Sequence, residues 1–202
     1  MPNNYEALKK LTEKQTKFWK ETRGISPDDV ADRLDDAALE WLNDLTQTLQ
    51  IWIDKDDSMT DGELILARAN LGSVVESWLK FFYTVYYDDY SKQPATKKTK
   101  SGNVMIEPKN MSFDQLKQFS IKTLCDNNPN SKLYIFIDSV QHKRNAIHSF
   151  NKREIGTPSE FLDDIDGLYD FVNEIADRFK PREDYVDQVK ADYIADMQVN
   201  YR

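Results

Sequence analysis

Apolar residues recur at spacings of three and four along most of the chain, which is the period of an amphipathic α-helix. The first long run, residues 25–54, opens with a capping Ser26, then Pro27 and two aspartates, all favourable at a helix N-terminus. Its predicted apolar stripe contains Val30, Leu34, Ala38, Trp41, Leu45, Leu49 and Trp52. The pattern therefore predicts one long helix with a single buried face.

The second run, from about Asp61 to Tyr90, has apolar residues around more of its circumference. A helix of this kind is typical of the centre of a bundle. Its aromatic stretch "WLKFFYTVYYDDY" could form a platform for stacking nucleic-acid bases, but aromatic residues at helical spacing more often pack in a core. We expect a central core helix.

The character changes at residues 91–111, where "SKQPATKKTKSGNVMIEPKN" contains prolines, a glycine and several lysines. This composition predicts a long basic loop, with room for a short hairpin around "NVMIE". One interpretation gives Lys97, Lys98 and Lys100 the role of a basic patch that binds an anion such as RNA. The other interpretation is a solvated surface loop.

Three further helices follow, two of them opened by capping boxes. Ser112 with Gln115 begins a short helix that ends near Cys125, and Thr157 with Glu160 begins one that runs to about Phe179. Between them, residues 131–150 form a helix. Proline at 181 is expected to end the last of these helices, and roughly helical spacing continues beyond it.

The fold class is therefore all-α, a helical bundle of about five to six helices with one long basic loop. We divide the chain into an N-terminal helical or extended segment (1–25), the bundle (26–180) and a C-terminal helical arm (181–202).

Composition limits the classes of function. The 202-residue chain has a formal net charge of −8, which argues against a surface that binds nucleic acid throughout. With one cysteine, Cys125, and two histidines, neither an intramolecular disulfide nor a Cys/His metal cluster is expected. We expect no cofactor and no metal, and a cytoplasmic protein without membrane contact, because the most apolar run contains charges and the N-terminus lacks the form of a signal peptide.

The segment "KRNAIHSF", residues 143–150, carries the candidate chemistry. In a continuous helix with Val140 facing the core, Arg144 falls about 40° from that direction, within the apolar stripe, and His148 about 80° from it. A buried arginine needs a partner. Two explanations stand: an internal ion pair with an acidic residue such as Asp138 or Glu76, or a cleft in which Arg144 holds a phosphate while His148 moves a proton.

The longer phrase "SVQHKRNAIHSF", on a late helix of an all-α chain, resembles the HEPN superfamily, with Arg144, Asn145 and His148 in the order of its motif. The resemblance implies a metal-independent endoribonuclease, of the kind found among toxins and phage-defence effectors, in which an RNA 2'-hydroxyl attacks the adjacent phosphorus. It further implies that His148 transfers the proton, Arg144 stabilises phosphoryl charge and Asn145 orients them. A homodimer, an RNA substrate and an antitoxin or other protein partner are the implied partners, with Lys143 added to the phosphate-binding lysines.

The sequence departs from that motif in one respect. Only Asn145, Ala146 and Ile147 separate the arginine from the histidine, which is fewer residues than the family usually has. One residue changes the direction of a helical side chain by about 100°. Two hypotheses follow: a dimeric HEPN-like ribonuclease, and a non-catalytic helical module of HEPN type for dimerisation or interaction.

Overall fold

The computed structural model describes residue 2 and residues 4–148 and 152–200. Eight α-helices lie in this part of the chain: α1 (Tyr5–Lys20), α2 (Asp28–Asp35), α3 (Leu39–Ile53), α4 (Asp61–Val85), α5 (Tyr87–Lys92), α6 (Phe113–Thr123), α7 (Lys132–Arg144) and α8 (Pro158–Asn200). Two strands, β1 (Thr96–Thr99) and β2 (Gly102–Met105), pair antiparallel, with Thr96 opposite Met105. The predicted helical class is confirmed, but the predicted count of five to six helices is too low.

Helix α4 is the centre of the bundle, as its apolar circumference predicts. It packs against α3, α7, α8, α6 and α2, and Thr60 and Glu63 form a capping box at its start. Its aromatic residues are core residues: Trp78 is fully buried, and its ring centroid lies 5.4 Å from that of Phe81. Phe179 of α8 reaches the same cluster, 5.1 Å from Phe81. The aromatic stretch thus builds the core.

The predicted long helix over residues 25–54 is broken into α2 and α3. The residues between them include Ala38, which has a left-handed backbone with φ 46° and ψ 51°. Leu34 and Leu39 are both buried, although they are five residues apart. In one continuous helix their side chains would point about 140° apart, so they could not face the same core. The break returns both segments to the core, and it leaves Trp41 68% exposed instead of buried.

The basic segment is also more ordered in its backbone than predicted. In the segment predicted as a long loop with room for a short hairpin around "NVMIE", residues 96–105 form the β1–β2 hairpin, with strands that are almost entirely exposed. Ile106 N donates to Ala95 O at 2.9 Å and closes the base of the hairpin, and the Tyr90 hydroxyl of α5 donates to Ile106 O and attaches that base to the bundle. A short 3-10 turn at Pro108–Asn110 then leads to α6.

Both capping boxes predicted for the later helices are present. Ser112 N donates to Gln115 Oε1 at 2.9 Å, and Thr157 N donates to Glu160 Oε2 at 2.8 Å. Pro181, by contrast, does not end its helix as predicted. It lies inside α8, which continues to Asn200. The division of the chain at residues 25 and 180 stays a prediction.

Helix α8 is held to the bundle beyond its proline. Val186 is buried, and Arg182 lies 5.2 Å from the Tyr86 ring centroid and pairs with Asp88 and Asp89. Of the helices in the described ranges, none has the length and apolar character needed to cross a lipid bilayer.

Candidate functional site

The motif segment lies where α7 ends. Ser131 caps the start of α7 by accepting from Tyr134 N at 3.2 Å, and the helix ends at Arg144. Asn145–Ile147 form a 3-10 turn, and His148 follows with a non-helical backbone, φ −86° and ψ 83°. Because a 3-10 helix has three residues per turn, the expected placement of Arg144 and His148 on one α-helical face does not hold. Ser149 and Phe150 lie outside the described residues.

Arg144 forms an ion pair inside the protein. Its Nη2 donates to Glu76 Oε2 of α4 at 3.4 Å, and Glu76 Oε1 accepts from Lys80 Nζ at 2.8 Å. The side chains of Arg144 and Glu76 are 29% and 17% exposed, so the pair is partly shielded from water. Of the two acidic residues considered for Arg144, the structure selects Glu76, while Asp138 accepts from Lys117 at 2.8 Å.

The stem of Arg144 also fills a space that Gly72 leaves open. A Cβ added to Gly72 would lie 2.6 Å from Arg144 Cβ and closer still to its Cγ. Atoms cannot approach that closely, so α4 and α7 can cross at this distance only with glycine at position 72. The arginine is therefore packed through its aliphatic part as well as paired through its charge.

Lys143, the neighbouring cation of the motif, is held by Asp164 of α8. The Nζ to Oδ2 distance is 2.8 Å. Asp164 Oδ2 also pairs with Arg68 Nη1, and Arg68 Nε donates to the Ile155 carbonyl at 3.0 Å. One carboxylate thus joins α4, α7 and α8, and the arginine it holds fixes the segment that leads into α8.

We call Arg144, Lys143 and Arg68, with their carboxylate partners Glu76 and Asp164, the motif network. Arg68 is its most buried member, with a side chain 1% exposed. Burial lowers the pKa of Arg68, and the adjacent Asp164 opposes that shift. Its Nη2 makes no hydrogen bond within the described residues and lies beside Gly156. Such a cation depends on its carboxylate, since burying an unpaired charge costs several kcal/mol in proteins, roughly 3–5 when one partner is removed.

The other motif residues face solvent more openly. His148 is exposed and Asn145 is half-buried, and a backbone hydrogen bond joins them, in which His148 N donates to Asn145 O at 3.2 Å. No hydrogen bond between the described atoms joins His148 to Arg144. The His148 imidazole is accessible to water, and within the described part of one chain no hydrogen bond from the Arg144 guanidinium orients it.

The four predicted phosphate-binding lysines lie on two different elements, three on the hairpin and Lys143 on α7. Lys97 and Lys98 lie on β1 and Lys100 lies in the hairpin turn, all exposed. The base of their hairpin is attached at Tyr90, whose hydroxyl donates to Ile106 O. Arg144 instead packs against Gly72, in the first half of α4. The structure thus anchors the lysines of the hairpin and the motif cations at different points of the bundle.

An exposed apolar patch lies on α3 and α4. We call Trp41, Leu45, Trp52 and Leu66 the α3–α4 patch; Trp41 is 68% exposed, Leu66 is 52% exposed, and the other two are half-buried. Asn70 connects its parts, because Asn70 accepts from Trp52 Nε1 and donates to Leu45 O, both at 3.0 Å. Trp41 also borders a cavity of about 260 Å³.

The sequence alone did not indicate two residues of the motif network. Asp164 and Arg68 are far from the motif along the chain and have no spacing that relates them to it. Gly72 carried a weak signal, since a glycine inside an apolar helix often marks close packing. Within the described residues, no group of three or more histidine, cysteine or acidic side chains could hold a metal ion.

The chain was compared with protein-family models, curated proteins and solved structures, and none of the three comparisons found a match.

Proposed function

We propose that this chain is a non-catalytic helical interaction module that acts as a homodimer. The observation that carries the proposal is the internal use of the motif cations: Arg144 is paired with Glu76 and packed on Gly72, and Lys143 is paired with Asp164. Cations that already neutralise the protein's own carboxylates hold helices together, and binding a phosphate would first require these pairs to separate.

The α3–α4 patch supports a second copy of the chain as the partner. Exposed tryptophan and leucine on adjacent helices are typical of an interface core. In a two-fold dimer the same patch meets itself, so its surroundings must tolerate self-contact. The charged side chains that line the cavity beside Trp41 are paired within the chain, Arg33 with Glu107, Lys109 with Asp36 and Lys80 with Glu76, so a second copy meets no unpaired charge of one sign there.

Light scattering of the purified full chain after size-exclusion chromatography tests the dimer. We expect wild type at about twice the mass of one chain, and Trp41→Asp as a monomer, because a charge at an apolar interface loses its hydration. The matched control is Ile135→Asp, which changes a 54% exposed residue of α7 outside the patch. A monomeric wild type, or a Trp41→Asp variant that stays dimeric, would show the proposal to be wrong.

A second candidate is the HEPN-like ribonuclease, and the exposure of His148 favours it. An accessible imidazole can act in proton transfer near neutral pH, and a second copy of the chain could supply the missing partner groups. Wild type and His148→Ala should be compared on a mixed RNA pool with excess EDTA. Cleavage by wild type alone, leaving cyclic phosphate ends, would establish the ribonuclease; no cleavage by either folded protein supports the interaction module.

A further inference from the structure

A groove of about 700 Å³ separates the end of α4 and α5 from α6 and the base of the hairpin. Its volume falls within the range of small-molecule sites, roughly 300–1,000 Å³. Its lining includes the aromatic residues Phe82, Tyr83, Tyr86, Tyr90 and Phe119. Neither the motif network nor the α3–α4 patch contributes to it, so the groove is a separate feature of the molecule.

The hydroxyl groups of the three tyrosines are engaged within the protein. Tyr83 is bonded to Ser120 Oγ at 3.1 Å and to Thr123 Oγ1 at 2.8 Å. Tyr86 donates to the Arg178 carbonyl and Tyr90 to the Ile106 carbonyl. These bonds fix the rings, so a ligand would meet aromatic surface that needs little ordering on binding.

Two of the rings remain accessible. Tyr86 and Phe119 are half-buried, whereas the other three aromatic residues are buried behind them. The Phe119 ring is supported by Tyr83 and Tyr90, with centroids 5.1 Å and 5.4 Å away. Accessible rings on a fixed aromatic support favour a flat aromatic ligand, because ring pairs gain free energy beyond simple burial of area.

The charge around the groove is positive in a protein that is strongly negative overall. Lys92 and Lys122 line it together with Asp89, which pairs with Lys92 at 2.8 Å. Lys122 has no ion pair among the described residues. The lining charges sum to +1, against a net charge of −8 for the chain, and Lys97, Lys98 and Lys100 lie on the adjoining exposed hairpin, outside the lining. This surface attracts anions.

We propose that the groove binds a planar aromatic ligand that carries a negative charge. The ring packs against Tyr86 and Phe119, and the anionic group pairs with Lys122. A nucleoside monophosphate and an aromatic carboxylate share this chemistry. The inference does not rest on the proposed interaction role, since its residues are distinct from Arg144, His148 and the α3–α4 patch.

Nuclear magnetic resonance titration of the full ¹⁵N-labelled chain tests the groove. The probes are adenosine monophosphate and indole-3-acetate, with adenosine and indole-3-acetamide as their uncharged counterparts. We expect shifts centred on residues 82–95 and 119–123, and charged probes that bind about threefold more tightly than neutral ones, the ratio typical of one exposed ion pair.

Two variants separate the ring from the charge. Phe119→Leu keeps an apolar side chain but removes the ring, and should weaken binding about tenfold, the scale of one lost stacking contact. Lys122→Ala should weaken charged probes about threefold and leave neutral probes unchanged. Lys14→Ala, which removes an exposed lysine from α1, is the matched control and should bind like wild type. Circular dichroism melting verifies that each variant is folded.

The outcomes differ for each source of the ligand. Binding of adenosine monophosphate alone identifies a nucleotide ligand, and binding of indole-3-acetate alone identifies an aromatic acid. The proposal is overturned if neither anion saturates below about 10 mM, if shifts lie outside the groove, or if folded Phe119→Leu binds as tightly as wild type. If that variant does not fold, Lys122→Ala decides by the same comparison of charged and neutral probes.

Discussion

Glu76 and Gly72 explain why an arginine, Arg144, can lie on an apolar stripe of α7. An arginine on an apolar stripe is costly to bury, yet here its stem packs on Gly72 and its charge meets Glu76. The partly exposed ion pair contributes modestly, roughly 1 kcal/mol or less. The close packing of the stem is the larger constraint, because interiors tolerate little added volume.

Replacing Gly72 tests this packing. Gly72→Ala should lower the free energy of unfolding by about 2 kcal/mol, because the new methyl group overlaps Arg144. Gly62→Ala is the matched control on the same helix, where an added Cβ meets open space; it should raise stability by about 0.5 kcal/mol. Urea unfolding measures both. Equal effects of the two substitutions would contradict the packing of Arg144 on α4.

Replacing Asp164 tests the buried network. Asp164→Ala removes the carboxylate that pairs with buried Arg68, leaves only the more distant Glu160 to balance its charge, and should destabilise the protein by roughly 3 kcal/mol. The neighbouring Asp163 is exposed on α8, so Asp163→Ala should change the free energy of unfolding by less than about 0.5 kcal/mol. The same urea experiment compares the two. A small effect at both positions would mean that water or rearrangement satisfies Arg68.

At the scale of elements, the break between α2 and α3 decides which residues reach solvent. The sequence between them contains neither glycine nor proline, so the apolar spacing alone predicts a continuous helix. Packing of both segments against α4 and α1 overrides that prediction. Ala38 takes the left-handed conformation that the break requires, and an L-residue pays about 1–2 kcal/mol there.

Glycine at position 38 should relieve this strain. Ala38→Gly is expected to raise the free energy of unfolding by about 0.5–1 kcal/mol, since glycine adopts positive φ freely. Ala37→Gly, at the adjacent position without positive φ, should lower it by about the same amount. Thermal melting of the two variants beside wild type gives the sign of each change. A destabilising Ala38→Gly would argue against the break.

Helix α8 shows the same dominance of packing over local signals. A proline inside a helix removes one hydrogen bond and crowds the preceding turn, at a cost of about 3 kcal/mol. The contacts made after it, by Val186 and by Arg182 with α5, retain the following turns on the bundle. Local sequence therefore predicted a stop that tertiary contacts overcome.

At the scale of the whole molecule, buried tyrosines make the fold sensitive to alkali. Burial raises the pKa of Tyr5 and of Tyr83 to about 12, and it also raises the pKa of Tyr86, Tyr87 and Tyr90. Each neutral phenol is favoured in the folded protein more than in the unfolded chain. Their stabilisation is complete below the unfolded pKa of about 10 and is lost as pH rises toward 12.

Alkaline unfolding measures this linkage. The free energy of unfolding should fall between pH 10 and 12, with Tyr83 responsible for roughly 2 kcal/mol of the loss. Tyr83→Phe should flatten the decline, although it also removes two hydrogen bonds and lowers stability at neutral pH. Tyr185→Phe, at an exposed position on α8, should leave the decline as in wild type. A decline unchanged by Tyr83→Phe would contradict its role.

The sequence by itself determined the helical class, the central place of α4, and the starts of α6 and α8. These depend on periodicity and on capping boxes, which act within a few residues and can be read locally. It also identified Arg144 as a residue in need of a partner and named Glu76 among the acidic residues that could supply it. The HEPN resemblance, the ribonuclease and the dimer stay predictions.

Only the tertiary structure decided the helix count, the exposure of Trp41, the continuation of α8 past Pro181 and the pairing of Arg68 with Asp164. Each depends on contacts between residues that are distant in sequence, and these contacts outweigh the local preference of the chain. The end of α7 at Arg144 belongs with them, since it decides where His148 lies. Local patterns specify which elements form, and close packing between them determines where each is interrupted and which faces stay exposed.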